Sequence, residues 1–170
     1  MDIRVKFGLF TGALSAVWYL IYYAFLFKIA PFLSVMVWVI LLAGIVLGIR
    51  YAKVKKYTGQ MTFSQGITAG LTITGITAII TSLTNTIYIK IINPGFINTY
   101  IIEVKKLMET SGLQPEEMQK QVEAIEKTFT TTSLLMSGIF ATFVVGLLIS
   151  VITAVVLRNK DPQTPQAIDN

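Results

Sequence analysis

The stretch TFTTTSLLMSGIFATFVVGLLISVITAVVL, residues 128–157, contains no aspartate, glutamate, lysine or arginine, and it decides the fold class. A helix rises about 1.5 Å per residue, so roughly 20 residues cross a hydrocarbon core about 30 Å thick. The stretch is longer than that. Because lipid offers backbone amides no hydrogen-bonding partner, such a segment crosses a bilayer as a helix. We therefore predict a membrane span over about residues 132–157.

Three more stretches share this character, and we predict spans over about residues 7–27, 31–49 and 62–92. A hydrophobic content of 54% and a charged content of 14% agree with a membrane protein. The core of a soluble domain is the alternative, but uncharged blocks of spanning length disfavour it. The first block is also too long for a signal peptide, and no small-x-small cleavage pattern follows it.

The third block contains a lysine, Lys90, close to its end at Asn93-Pro94-Gly95. Counted from Phe63, about 20 residues bring the helix to Ser82, so Lys90 lies beyond the hydrocarbon core. A lysine stem at that depth reaches the lipid headgroups. We predict that this helix overshoots the bilayer and ends before Pro94, because proline disfavours helix at the preceding residue.

The distribution of basic residues favours one orientation. One side of the predicted bundle carries Arg4, Lys6, Arg50, Lys53, Lys55, Lys56, Arg158 and Lys160. The turn between the first two spans carries only Lys28. The positive-inside rule then predicts a multi-pass membrane protein with both termini in the cytoplasm. Such a rim suits anionic lipid, and nucleic-acid binding is not needed to explain it.

Tyrosines near the ends of the predicted spans are typical of the aromatic belts found at membrane interfaces. Tyr22, Tyr23 and Tyr88 fall near the outer ends, whereas Tyr51 and Tyr57 fall near the inner ends. We expect these rings to lie at the level of the headgroups.

Residues 96–130 form a charged connection with helical periodicity between the third and fourth spans. Pro115 suits the first turn of a second helix, and Gly112 suits the end of the first. The apolar stripes of the two helices are Ile97, Ile101, Val104 and Met108, followed by Met118, Val122, Ile125 and Phe129. These stripes could pack on each other and on the overshooting third helix, on the outer leaflet, or on a partner protein. The predicted fold is an all-α membrane four-helix bundle with an extramembrane amphipathic helical hairpin at 96–130.

Small residues predict where the spans touch, because lipid supplies no hydrophobic force that would drive helices together. The fourth span carries Gly138, Thr142, Gly146, Ser150 and Ala154 at four-residue spacing. The third carries Gly66, Gly70, Thr74, Thr77, Thr81, Thr84 and Tyr88 on one face. The first carries Gly8, Gly12 and Ala16, and the second carries Gly44 and Gly48. We expect close helix crossings along these positions, and we expect Asn85, near the outer boundary, to need no special role.

The chain has no histidine and no cysteine, and the predicted spans hold no carboxylate. Proton relays and ion sites usually need intramembrane ionisable groups. The carboxylates of 96–130 lie beside lysines, with Glu116–Lys120 and Glu123–Lys127 at the spacing of helix ion pairs. A solvated charged face explains them better than a metal site does. We therefore predict a protein that is not an enzyme, with no catalytic, cofactor-binding or metal-binding residues.

Three sequence motifs together resemble the domain of unknown function 4199 family. They are VKFGLFTGALSA near the start, GQMTFSQGITAGL at the entry to the third span, and IYIKIINPGF at its outer end. The resemblance implies a four-span protein of the bacterial inner membrane, found mainly in Bacteroidota, and it supplies no activity and no site residues. We expect a single membrane domain over residues 1–160 and a disordered cytoplasmic tail over 161–170.

The function that these features favour is a non-catalytic accessory or assembly subunit. Its partners would be the lipid bilayer and a membrane or extracytoplasmic protein bound through residues 96–130, with no nucleic acid. A subunit of a small oligomeric transporter or channel is the alternative, since the threonine-rich third span could line a path for a solute. The sequence is also compatible with a homo-oligomer. An intramembrane enzyme acting on lipid is a third reading, with Tyr19 and the threonines as its only candidate groups.

Overall fold

The chain folds into six α-helices within residues 1–159, the part that this computed structural model describes. They are α1 (Ile3–Ile21), α2 (Met36–Lys55), α3 (Phe63–Ile87), α4 (Phe96–Thr110), α5 (Pro115–Thr128) and α6 (Thr131–Leu157). No strand occurs in this range, so the predicted all-α class is confirmed. Lys160 and the predicted tail at 161–170 lie outside the described residues.

Four helical segments are long and apolar enough to cross a membrane, as the uncharged blocks predict. They are Ile3–Leu26, Pro31–Lys55, Phe63–Ile92 and Thr131–Leu157. The protein is therefore a multi-pass membrane protein. α4 and α5 lie between the third and fourth of these segments, pack against each other and are joined by the turn at 111–114.

Side-chain caps set the starts of three of the long helices. The Asp2 carboxylate accepts from the backbone N–H of Arg4 at the start of α1. Thr62 and Gln65 form a reciprocal capping box at the start of α3. Thr130 accepts from Ser133 N–H at the start of α6. Each cap satisfies backbone donors that a helix leaves free in its first turn.

Two of the long helices end in a π-helical turn. α1 continues as a π turn over Tyr22–Leu26, and α3 continues as a π turn over Tyr88–Ile92. A π turn holds one more residue than an α turn, so it rotates the side chains that follow. Asn93 ends the second of these turns, directly before Pro94, and Lys90 within it is exposed.

α3 is the central helix of the bundle and contacts α1, α2 and α6. Its small residues contact small residues of the antiparallel α6 in pairs that are one or two helical turns apart. The pairs in closest approach are Gly66 with Ala154, Gly70 with Ser150, Thr74 with Gly146, and Ser82 with Gly138. We call this set the α3–α6 ladder. It matches the four-residue spacing of the sequence, and it lets the two backbones approach closely.

α1 packs on the other side of α3 through its own glycines. Gly8 lies against Ile76, and Gly12 lies against Ile80. The hydroxyl of Thr77 donates to the backbone carbonyl of Gly8 at 3.3 Å, which adds a hydrogen bond between the helices. The predicted small-residue contacts of α1 are thus present in the fold.

The apolar interior forms two clusters along the axis of the bundle. One comprises Leu41, Ile45, Ile49, Ala52, Met61, Ala69 and Ile73. The other comprises Tyr88, Ile89, Phe96 and Leu134. We call the end near Ala52 and Met61 the basic end, and the end near Tyr88 and Phe96 the distal end.

Candidate functional site

Charged contacts at the basic end hold α1 against α2. The Asp2 carboxylate accepts hydrogen bonds from Arg4 Nη2 at 2.8 Å and Arg4 Nε at 3.1 Å, and it also contacts Lys56 Nζ. Hydrogen bonds from Arg4 and then from Lys56 hold the pKa of the Asp2 carboxyl well below its ordinary value. Both cations stabilise the ionised form, so this contact exists only while Asp2 is charged.

Two further contacts at the basic end tie α6 to its neighbours. Lys53 Nζ donates to the carbonyl of Leu157 at 2.7 Å, where a cation complements the negative end of the α6 dipole. Asn159 pairs with Met61 in both directions, because its side chain accepts from Met61 N–H and its own N–H donates to Met61 O. At the basic end, these contacts therefore connect the four long helices to one another.

Aromatic rings form a continuous cluster at the distal end. Tyr23 stacks on Tyr88 with ring centroids 5.2 Å apart, and Phe96 meets the rings of Tyr23 and Phe27 at 5.0 Å each. Tyr100 extends the cluster to Phe129, just before α6. This aromatic cluster attaches the base of α4 and α5 to the ends of α1 and α3.

The aromatic cluster corrects one expectation from the sequence. Tyr22 and Tyr88 lie at the ends of their helices, as expected, but they are buried at 5% and 6% exposure and do not form an open belt. The hydroxyl of Tyr22 donates to the carbonyl of Pro31 at 3.1 Å and so binds the turn between α1 and α2. The sequence pattern of aromatic residues at a helix end is the same whether the rings face the membrane interface or are buried in the bundle.

A groove of about 550 Å³ runs between α4 and α5. Its lining side chains are Lys105, Glu109, Pro115, Met118, Gln119, Val122, Glu123 and Glu126. Its floor is apolar, since Val122 is buried and Met118 is half-buried. Its rim is acidic, although the chain as a whole has a net charge of +5. We call this feature the α4–α5 groove.

The charged side chains of α4 and α5 are less paired than their spacing predicts. Within residues 1–159, the ion pair found on these helices joins Lys106 to Glu103 at 3.4 Å. The predicted pairs Glu116–Lys120 and Glu123–Lys127 do not come within 4 Å. Exposed pairs of this kind gain little from closing in water, so both charges stay solvated. The glutamates of the groove are thus free to meet a basic ligand.

A small cavity of about 70 Å³ lies where the four long helices meet, between the two apolar clusters. Its lining side chains are Tyr19, Trp38, Thr81, Ser82, Asn85, Gly138, Ala141 and Thr142. We call it the junction cavity. Ser82 Oγ and Asn85 Oδ1 are buried there and have no hydrogen-bond partner in the described part of the chain. Asn85, which the sequence indicated needed no special role, is therefore an unsatisfied polar group inside the bundle.

Most threonine hydroxyls of α3 form hydrogen bonds within α3 itself. Thr68, Thr72, Thr81 and Thr84 each donate to a carbonyl one turn earlier in α3. This back-bonding is the usual way for a hydroxyl in lipid to satisfy itself. A threonine row alone thus gives no path for a solute, although the buried hydroxyls of Thr74 and Thr86 have no partner within residues 1–159.

Within residues 1–159, no three acidic, histidine or cysteine side chains come together in a way that could hold a metal ion. The hypothesis of an intramembrane enzyme acting on lipid named Tyr19 and the threonines as candidate groups. The structure places Tyr19 and Thr81 on the wall of the junction cavity, with Thr142 opposite. No carboxylate, lysine or arginine lines that cavity to activate them.

Comparison with known proteins gives a family for this chain. Neither the curated proteins nor the solved structures contain a match to it. A family described as a protein of unknown function, DUF4199, matches residues 6–159, which covers all four long helices together with α4 and α5. This multi-pass chain therefore belongs to the DUF4199 family.

Proposed function

We propose that this protein is a non-catalytic accessory subunit of the bacterial inner membrane, and that it acts by binding another protein through the α4–α5 groove. The observation that carries the proposal is the groove itself. It joins an apolar floor to an acidic rim, on helices whose base is attached to the bundle by the aromatic cluster. α4 and α5 form the extramembrane amphipathic hairpin in this proposal.

The basic end supports the orientation. Arg4, Lys53 and Lys56 lie there, joined to Asp2 and to the end of α6. The positive-inside rule assigns such an end to the cytoplasm, which puts both termini inside and the α4–α5 groove outside. Reporter fusions after Lys56 and after Ser111 test this directly. A reporter that is active outside after Lys56 would overturn the orientation and the site of action together.

The chemistry of the groove defines the partner. Met118 and Val122 offer an apolar floor, and the rim carries Glu109 and Lys105 on α4 and Glu123 and Glu126 on α5. The segment that fits carries apolar side chains flanked by lysine or arginine. Charges at the rim steer such a partner and select against acidic segments. We therefore infer that the partner is an extracytoplasmic, basic amphipathic segment of another membrane-associated protein.

Site-specific photo-crosslinking tests this partner. A photoreactive residue at Gln119, inside the groove, should capture one defined protein, whereas the same residue at Phe140 on the surface of α6 should capture lipid. Changing Glu123 and Glu126 together to lysine should abolish the capture. Changing Glu116 and Glu117 together to lysine makes the same charge change outside the groove and should leave the capture intact. Recovery of lipid and self-products alone from Gln119 would count against the proposal.

A subunit of an oligomeric transporter or channel is the second candidate. The junction cavity favours it, because buried polar groups between spans often mark a solute path. In this candidate, copies of the chain assemble and extend the cavity. Flux of ions and neutral solutes through liposomes that contain the purified protein tests it. Flux that is abolished by Asn85→Leu would support the candidate, and no flux across the panel would remove it.

A further inference from the structure

We propose that the junction cavity is a binding site for a neutral hydroxyl group, supplied either by water or by the free hydroxyl of a membrane lipid. This inference is independent of the partner that α4 and α5 bind. It begins from two polar atoms, Ser82 Oγ and Asn85 Oδ1, that are buried without a partner in the described residues. A buried polar atom without a hydrogen bond costs roughly 1–3 kcal/mol, so such atoms normally have one.

Asn85 differs from Ser82 because its free oxygen cannot find a hydrogen-bond partner within its own helix. An unpaired serine or threonine in a helix can rotate and donate to a carbonyl one turn back, as Thr81 and Thr84 do. The amide of Asn85 has no equivalent bond within its own helix turn. Turning this amide over would exchange a buried acceptor for a buried donor and leave the same need. The partner must therefore come from within the cavity.

The lining determines the charge of the ligand. Tyr19, Trp38 and Thr142 join Ser82 and Asn85 around the cavity, and no carboxylate, lysine or arginine is among its lining residues. A charged ligand would lie in the membrane interior with no countercharge, which is costly. The ligand is thus neutral.

The hydrogen-bonding groups determine its type. Asn85 Oδ1 needs a donor, whereas the hydroxyl of Ser82 can either donate to a ligand or accept from it. A hydroxyl oxygen both donates and accepts, and it suits Ser82 and Thr142 equally. A volume of about 70 Å³ is large enough for a water molecule, or for one hydroxyl with its attached carbon. Because the exposed residue Ala141 also lines the cavity, a lipid hydroxyl can enter from the side of the bundle.

Solid-state NMR of the full-length protein in vesicles tests the site. The protein is labelled with ¹⁵N-asparagine, and Asn85→Leu identifies the Asn85 side-chain signal by its loss. In vesicles of deuterated phosphatidylcholine, magnetisation transfer from water protons to the Asn85 amide is expected if water is the ligand. Asn93 and Asn98, near the distal end, provide an internal positive control for water contact.

A second arm distinguishes the two sources. Adding protonated diacylglycerol supplies a lipid with a free hydroxyl. Loss of the water signal with a new contact from the glycerol protons would assign the site to lipid, and an unchanged water signal would assign it to water. Absence of any transfer to Asn85 in both arms would overturn the proposal.

Thermal unfolding gives an independent readout, because Asn85→Leu should shift the melting temperature whereas Thr72→Val, on the same helix outside the cavity, should not. A variant that melts at the wild-type temperature would also count against the site.

Discussion

Gly66 of α3 lies directly against Ala154 of α6. A methyl group added at Gly66 would come within 2.8 Å of the Ala154 Cβ and within 3.2 Å of its Cα, and neither of these atoms can rotate away. Both residues are buried. This contact is the first step of the α3–α6 ladder, so it sets how closely the two helices approach at the basic end.

Gly66→Ala should therefore destabilise the protein. Overpacking of this kind costs about 1–3 kcal/mol, because the two backbones must separate. Unfolding in mixed detergent micelles measures the change in the free energy of unfolding. Gly75→Ala is the matched control, since an added Cβ at Gly75 meets nothing within 4 Å. Ala154→Gly should restore part of the stability lost in Gly66→Ala, because it removes the closer of the two contacts. Equal stability of the Gly66 and Gly75 variants would contradict the ladder.

Phe96 should attach α4 and α5 to the bundle. Its ring is 5% exposed and contacts both Tyr23 and Phe27, so truncation removes the centre of the aromatic cluster. A buried Phe→Ala change costs about 3–5 kcal/mol. We expect Phe96→Ala to speed hydrogen exchange in α4 and proteolysis at the 111–114 turn, while the four long helices remain protected. Phe25→Ala, at a ring that is 71% exposed at the same end, should change neither.

Thr77 should contribute one hydrogen bond between helices. Its hydroxyl donates to the Gly8 carbonyl of α1, so Thr77→Val should lower the free energy of unfolding by about 0.6 kcal/mol and by no more than about 1.7. Thr72→Val is the matched change, because that hydroxyl donates within α3 to the Thr68 carbonyl. A larger loss for Thr72→Val than for Thr77→Val would show that the bond to α1 contributes nothing.

Asp2 should make stability depend on pH in the acid range. Its pKa is lowered in the folded protein by hydrogen bonds from Arg4 and Lys56, so the folded state favours the ionised form. The contribution is fully present above the unfolded pKa of about 3.9 and is lost as the pH falls below it. The carboxylate is partly exposed at 28%, so we expect about 0.2–1 kcal/mol.

The measurement for Asp2 is the difference in unfolding free energy between wild type and Asp2→Asn. This difference should be constant from pH 5 to pH 7 and should shrink below about pH 4. Raising the salt concentration at pH 7 should reduce it as well, because ions screen partly exposed charges. A difference that does not vary with pH would show that the Asp2 charge does not hold α1 to α2.

The sequence predicted much of this fold and little of its interior. Uncharged blocks such as 128–157 revealed the long helices, because a bilayer imposes its thickness on them. Four-residue spacing of Gly66, Gly70 and Thr74 revealed the face that α3 turns to α6. The same face included Tyr88, which is buried as that pattern predicts, but no pattern showed that Tyr22 turns inward, since aromatic residues are common at helix ends in either environment. It also could not show that Asn85 faces a cavity, because a cavity depends on side chains from all four long helices.

The two π turns have a consequence for changes in chain length. The turn Tyr88–Ile92 lies just before Phe96, so its extra residue sets the direction in which the chain leaves α3 toward α4. Deleting one residue from Tyr88–Ile92 would swing the following segment about 100° around the helix axis and part the Phe96 ring from Tyr23. The turn Tyr22–Leu26 likewise lies just before Phe27, whose ring also meets Phe96. We expect single-residue insertions and deletions at either place to detach α4 and α5 from the four long helices.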